Sequence, residues 1–498
     1  MAELPPPAPR PTASVGRVIL RNTLFITLGG VILKILNFAY GVYVVRRLGD
    51  SQFGQYNIIL AWVGLFSIFA ELGVTQYAMR EIARDHQRAE GLFWNLMAMR
   101  AVLALAGMLG ITAGAAAVGY SAEIVTGVFV YTSSFLLSAV GVSLTMVLAA
   151  YERLDFTTLT TIASQVVGLG LGLAVLWNGY GLIPFLAVGL LAMCPPILWS
   201  IWFVWKHQML AFKPQIDVRT WPALARGGWP FALISLALTI AFSIDTVMLS
   251  WYVPEAHVGW YNVAYGLARS LVALLGGFSV ALVPSLARAY SSDTATVERW
   301  YYRAVKFFLL VSLPVAAGGM LIAFPLVQLV YNPTTLPAAL ALQILIWDVP
   351  LLMFTALCGN MSYVIGGERA AARIYAINAV ANVLLNLYAI PRFGVVGAAI
   401  VTVVTDLIGA LQFQFLLNRR LRLPAMGAVV VRIAGATLCM ALAVYGALGW
   451  HVGVLIGLGG AVYALAVIAL RVLDASDWAL AQQMLGRLAR WRGAGGRS

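Results

Sequence analysis

From about residue 18 to residue 472 the chain alternates long apolar stretches with short polar connections. A helix needs about 20 largely apolar residues to cross a bilayer. By that ruler fourteen spans are predicted, at 18–44, 53–75, 92–118, 123–150, 157–177, 181–205, 227–251, 258–285, 303–330, 338–364, 371–390, 394–417, 427–448 and 452–472. The connections are mostly a few residues long and leave no room for a soluble domain. Residues 1–17 hold five prolines and read as a disordered tail. No small-residue cleavage site follows the first apolar stretch, which therefore reads as a retained helix and not a signal peptide. Beyond the last span, Trp478, Leu480, Met484, Leu485, Leu488 and Trp491 oppose Arg487, Arg490 and Arg492. That pattern fits either an amphipathic helix on the inner leaflet or a solvated trailing helix.

Composition narrows the class. Hydrophobic residues make up 61% of the 498 and charged residues 10%, with a mean hydropathy of +0.88. A soluble domain is about 45–50% apolar and about 25% charged, so this chain cannot build a polar exterior and its apolar surface must face lipid. Soluble, secreted and disordered classes are excluded, and the expected fold is an all-α integral membrane protein.

The net charge of +13 reads as topology once its positions are known. With the N-terminus inside, the inner connections hold Arg80, Arg84, Arg88, Arg153, Lys206, Lys213, Arg219, Arg226, Arg288, Arg299, Arg369, Arg419, Arg420 and Arg422. The outer ones hold only Arg46, Arg47 and Arg392. Positive charge collects on the cytoplasmic side, so both termini are expected in the cytoplasm and the protein in the cytoplasmic (inner) cell membrane. A nucleic-acid partner is not expected.

The chain also repeats itself. Phe53-Gly54-Gln55-Tyr56-Asn57 opens the second span and Val258-Gly259-Trp260-Tyr261-Asn262 the eighth, an offset of 205. Tyr180-Gly181-Leu182-Ile183 and Phe393-Gly394-Val395-Val396 echo each other at an offset of 213. A six-span unit returns to its starting side, so two copies would form parallel repeats with a cavity at their interface. The expected organisation is a six-helix lobe at 18–206, a linker at 207–226, a second six-helix lobe at 227–418, two further helices at 427–472 and a tail at 475–498.

Charges deep in a span usually face the protein interior or a wet cavity. Lys34, Arg100 and Arg269 are the basic candidates, and Glu71, Asp245, Asp348 and Asp406 the acidic ones. Either the three cations form a surface for a phosphate-bearing substrate, or each pairs with an acid as a bridge between helices. Asp245, Asp348 and Asp406 are candidates to carry a coupling H+ or Na+, the alternative being a structural role. Asn378, Asn382 and Asn386 fall at i, i+4 and i+8 and stack three amides on one helical face. They serve either as glue between helices or as a cavity wall for sugar hydroxyls. No P-loop is present, the four histidines lie at span ends or in loops, and Cys194, Cys358 and Cys439 are scattered through apolar runs. No catalytic residue, metal site, cofactor or enzymatic activity is expected.

With those residues in hand, the chain resembles the polysaccharide (O-antigen type) flippases of the multidrug/oligosaccharidyl-lipid/polysaccharide exporter superfamily. The likeness rests on Arg47-Leu48-Gly49, Phe53-Gly54-Gln55-Tyr56, Gly73, Arg80-Glu81, Ile244-Asp245, Val258-Gly259-Trp260-Tyr261-Asn262 and Pro284-Ser285-Leu286-Ala287. Asn386, Pro391 and Phe393-Gly394-Val395-Val396-Gly397-Ala398-Ala399 complete it. The resemblance implies two lobes rocking around a central cavity and a cargo of isoprenoid-pyrophosphate-linked oligosaccharide moved to the outer leaflet. It also implies cationic cavity residues, for which Lys34, Arg100 and Arg269 are the candidates, and membrane lipids and a polysaccharide polymerase as partners. Lipid II flipping and cation-coupled drug or small-molecule export remain alternative functions.

Overall fold

The computed structural model describes residues 12–85, 89–151, 154–210, 214–275, 294–421, 426–474 and 477. Among them the regular structure is helical. In chain order the α-helices are α1 (Thr12–Glu71), α2 (Val74–Arg84), α3 (Ala89–Val118), α4 (Ala122–Ala150), α5 (Leu154–Trp177), α6 (Leu182–Lys206), α7 (Trp221–Tyr252) and α8 (Glu255–Leu275). They continue as α9 (Thr294–Leu321), α10 (Ala323–Val330), α11 (Ala338–Leu345), α12 (Asp348–Val364), α13 (Glu368–Asn418), α14 (Gly427–Gly446) and α15 (Val452–Ala469).

Among the described residues ten helical stretches are long and apolar enough to cross a membrane, so this is a multi-pass membrane protein. Two of the helices exceed a single crossing. The 60 residues of α1 are interrupted at Gly49 (φ 73°, ψ 175°) and the 51 of α13 at Gly394 (φ 54°, ψ −131°). Both glycines take backbone angles that side chains disfavour, and each turns the chain back between two arms.

Several boundaries differ from the sequence expectation. Helix α1 begins at Thr12, so residues 12–17 are helical and not part of a disordered tail. Helix α7 starts at Trp221, six residues early, after a 3₁₀ turn at Val218–Thr220 whose first N–H groups are received by Asp217. The stretch expected as one span at 303–330 divides into α9 and α10 at Ile322. Pro325 is the reason, because a proline cannot donate to the carbonyl four residues back and crowds it. Pro350 has the same effect on Ile346, where α11 gives way to α12. The short helix α2 occupies what reads as a cytoplasmic connection. The expected amphipathic helix at 475–493 lies outside the described residues apart from Asp477.

Helices α3 to α6 pack together with α1, while α9 and α11 to α13 pack with α7 and α8. The two groups meet along α1, α7 and α8. At their crossing the repeated motifs touch each other. A side chain at Gly54 would overlap the Glu255 carbonyl, and one at Gly259 would overlap the Asp50 carbonyl. Asp50 and Glu255 are themselves related by the offset of 205, so each half presents the same glycine to the same carbonyl of the other. In both copies the asparagine folds back onto its own helix: Asn57 Nδ2 donates to the Phe53 carbonyl (2.7 Å) and Asn262 Nδ2 to that of Val258 (2.9 Å).

Side-chain bonds reinforce this end. Arg46 donates to the carbonyls of Val330 (2.7 Å) and Leu329 (2.9 Å), the last turn of α10. Asn332 Nδ2 returns a bond to the Arg46 carbonyl at 3.0 Å. Thr335 Oγ1 donates to Asp50 Oδ1 at 2.5 Å. At the opposite end α2 lies on the start of α7, where Gly228 faces the backbone of Leu72–Val74 and Gly227 the ring of Tyr77.

Candidate functional site

Between α1 and α8 lies a cavity of about 420 Å³, within the roughly 300–1,000 Å³ usual for ligand sites. Lys34, Asn37, Tyr40, Tyr56, Asn262 and Ser270 give it polar groups. Lys34 projects across it and donates to the Ala273 carbonyl on α8. A second chamber of about 530 Å³ adjoins the first and shares Phe38 and Ser270 as walls. Its lining comes chiefly from α8, α9, α11 and the pair α14–α15, including Leu267, Pro314, Leu342, Met440 and Leu455, and is almost wholly apolar.

The three sequence-predicted cations fall in different settings. Lys34 faces the cavity between α1 and α8. Arg100 is 3% exposed inside the first helix group, where it donates to Thr75 Oγ1 (2.6 Å), Ser138 Oγ (3.2 Å) and Glu71 Oε1 (3.3 Å). It ties α3 to α1, α2 and α4. Arg269 is half-buried on α8, one residue before the cavity-lining Ser270. Its guanidinium lies 3.9 Å from the ring centre of Phe242 and 5.0 Å from that of Tyr265, the arrangement of a cation held over aromatic faces. The structure thus does not bring the three together.

Asp348 and Asp406 lie within hydrogen-bonding reach of each other and feel the charge of Arg269. Asp245 stands apart from that pair in a built network. Asn386 Nδ2 donates to its Oδ1 at 2.7 Å. Tyr261 and Thr402 donate to its Oδ2 at 2.9 and 2.8 Å. Asn386 also donates to Asn382 Oδ1 (3.0 Å), and Asn382 Nδ2 reaches Thr405 at 3.5 Å. The amide face of α13 therefore points into the second helix group, toward α7 and the other arm of α13, rather than into the cavity between groups. Asn378 sits one turn further on, with its amide nitrogen against Gly409.

Two contributors to this network escaped the sequence reading as site residues. Thr402 falls four residues before Asp406, on the same helical face, and that spacing was a usable signal. Tyr261 was visible only as part of the repeat.

A family model described as "Polysaccharide biosynthesis protein" matches residues 19–290, more than half of the chain. The chain belongs to that family. Membership bears out the resemblance to polysaccharide flippases, and a second model, MatE, matches residues 230–388.

Among curated relatives, "Probable flippase AglR" of Haloferax volcanii is 24% identical over 390 residues, covering 74% of this chain and 77% of that protein. "Probable low-salt glycan biosynthesis flippase Agl15" of the same organism is 21% identical over 374 residues, covering 74% and 76%. Among solved structures, "Lipid II flippase MurJ, inward closed conformation" superposes with a TM-score of 0.70 at 16% identity, covering 88% of this chain and 99% of that one. An inward-facing multidrug resistance MATE transporter follows with a TM-score of 0.61 at 17% identity, covering 77% and 94%. At those identities the structural likeness is one of fold. The chain is thus a membrane transporter by family, and the cavity between α1 and α8 suits that class.

Proposed function

We propose that the protein flips isoprenoid-pyrophosphate-linked oligosaccharides from the inner to the outer leaflet of the cytoplasmic membrane by alternating access. The observation that carries this reading is the pair of adjoining chambers. One sets Lys34, Asn37, Asn262 and Ser270 into a largely apolar wall; the other is almost wholly apolar and built with α14 and α15. An amphiphile needs both surfaces at once, because a polar head group is costly in hydrocarbon while its lipid tail is costly in water.

In this reading Lys34 receives the pyrophosphate, with Arg269 released from its aromatic seat as a second cation. Arg100 fixes a helix junction and does not meet cargo. The Asp245 network is the seat of the coupling ion, H+ or Na+. A carboxylate among amide, phenol and hydroxyl oxygens is the donor set a hard cation prefers. Asp348 and Asp406 form a second acidic pair answering to Arg269. The two arms of α1 and of α13, counted separately, together with α7 and α8, give fourteen crossings with both termini in the cytoplasm. The Gly54–Gly259 crossing then closes the outer face.

The test is transport by the purified, full-length protein in liposomes. A fluorescent isoprenoid-pyrophosphate oligosaccharide should lose accessibility to an external quencher or lectin in a protein-dependent manner. Lipid II and a cationic dye serve as competing cargoes. Movement of lipid II or dye with no movement of the oligosaccharide would overturn the reading.

A further inference from the structure

A third cavity, of about 410 Å³, lies inside the first helix group between α4, α5 and α6. Its polar lining consists of Thr145, Thr160, Thr161, Ser164, Gln165 and Ser200, and no charged side chain lines it among the described residues. Such a concentration of hydroxyl and amide groups fits a wet groove better than a face turned to hydrocarbon.

The helix faces agree with that argument. On α5, Leu159, Ile162, Val166, Leu173 and Trp177 form an exposed apolar stripe; Thr161 and Ser164 lie off that stripe, on the side of the less exposed Leu171. On α6, Leu191, Leu198 and Trp205 are exposed, and Ser200 lies opposite. On α4, Phe129 and Leu136 are exposed, opposite Thr145. All three helices thus turn lipid-facing sides outward and this groove inward.

The groove borders the cavity between the helix groups. Gln165 Nε2 donates to Asn37 Oδ1 at 2.9 Å, and Asn37 lines the cavity that holds Lys34. Two hydroxyl donors of the groove are already used: Thr145 Oγ1 bonds the Gly141 carbonyl (2.9 Å) and Ser164 Oγ the Ala192 carbonyl across on α6 (3.2 Å). Their oxygen lone pairs remain as acceptors, the complement of a ligand rich in O–H donors.

We infer that this groove is a glycan subsite that accepts uncharged sugar units and rejects acidic ones. The inference rests on the flippase reading above and adds where the sugars lie and which are admitted. The pyrophosphate stays at Lys34 and the chain of sugars runs past Asn37 and Gln165 into the groove. A hexuronic acid would bring a carboxylate into a wall without a cation to pair with it, at a steep cost.

The experiment uses the full-length protein in liposomes with three fluorescent isoprenoid-pyrophosphate lipids. One bears a single neutral sugar, one a neutral tetrasaccharide, and one the same tetrasaccharide with one hexuronic acid. The unmodified protein is expected to flip the neutral tetrasaccharide at least tenfold faster than the acidic one. Combining Thr145→Val, Thr161→Val and Ser164→Ala should slow the neutral tetrasaccharide about tenfold and the single-sugar lipid less than twofold. Gln165→Lys should narrow the gap between neutral and acidic cargo, a gain that misfolding cannot mimic. Equal rates for neutral and acidic tetrasaccharides in the unmodified protein would overturn the inference. So would a triple variant that slows both neutral cargoes alike while Gln165→Lys leaves the gap unchanged. If the unmodified protein moves none of the three lipids, the flippase reading itself fails.

Discussion

Two basic residues at similar depth in the sequence have opposite surroundings, and that difference is measurable. Arg100 is enclosed, and its two terminal guanidinium nitrogens donate to Glu71, Thr75 and Ser138. Lys34 reaches across a cavity to a single carbonyl. Removing one member of a buried charged network costs about 3–5 kcal/mol, and Glu71, at 53% exposed, places Arg100 at the lower end. Arg100→Met should therefore lower the melting temperature of the detergent-solubilised protein by several degrees. Lys34→Met should leave melting unchanged and cut flipping of a pyrophosphate-linked cargo about tenfold. The reverse pattern would reassign both residues. Asp245→Asn keeps the shape of the network and removes its charge. It should abolish the dependence of transport on the coupling-ion gradient while the protein remains folded, read by flipping rates across imposed Na+ and pH gradients.

At the scale of elements, the crossing of α1 and α8 depends on two glycines. Each lies so close to a carbonyl of the other helix that any side chain would push the pair apart. Gly54→Leu should therefore hold the two helix groups open at this end. Spin labels at Ser51 and Pro254, both exposed beside the crossing, should report a longer distance in the variant than in the unmodified protein. An unchanged distance distribution would remove the crossing from any role in closure. The bonds from Arg46 to the end of α10 act on the same joint and should weaken with it.

The whole molecule is bound at its other end by an ionic tether. Lys306 of α9 is buried and donates to Asp474 Oδ2 (2.8 Å) and Asp477 Oδ2 (2.6 Å) beyond α15. Burial works against the Asp477 carboxylate, yet the bonds from Lys306 and from the Asp474 backbone N–H hold it below the usual carboxylate range. A carboxylate depressed in the folded state adds stability above its unfolded pKa, and loses it as pH falls through the folded value. The tether should thus be intact from neutral pH down to about pH 4 and released below it. Hydrogen exchange of the segment 470–474 is the readout. It should accelerate at that acidification, and at neutral pH in Lys306→Met. Orientation is testable on the same scale. With Cys194, Cys358 and Cys439 replaced, a cysteine at Glu123 should react with impermeant maleimide from outside intact cells and one at Glu368 should not.

How far the sequence reached follows from the range of the forces involved. The membrane-spanning helices were legible because bilayer thickness and the cost of bare backbone in hydrocarbon act on each stretch locally. The glycine that turns α13 lay in a motif visible by eye, and so did the internal repeat. The breaks at Ile322 and Ile346 were not read, although Pro325 and Pro350 mark them, because apolar length alone does not register a missing hydrogen bond. Asp245 was legible as a charge too deep to be idle. Its partners Tyr261, Asn386 and Thr402, distant along the chain, were not legible as a set. The same holds for the separation of Lys34 from Arg100. By itself the sequence determined that the chain lives in lipid, how its helices are spaced and that a Gly-x-Tyr-Asn motif recurs 205 residues on. Only the tertiary structure decided which polar groups satisfy one another and which face open space, because that pairing is made between residues that the chain order keeps far apart.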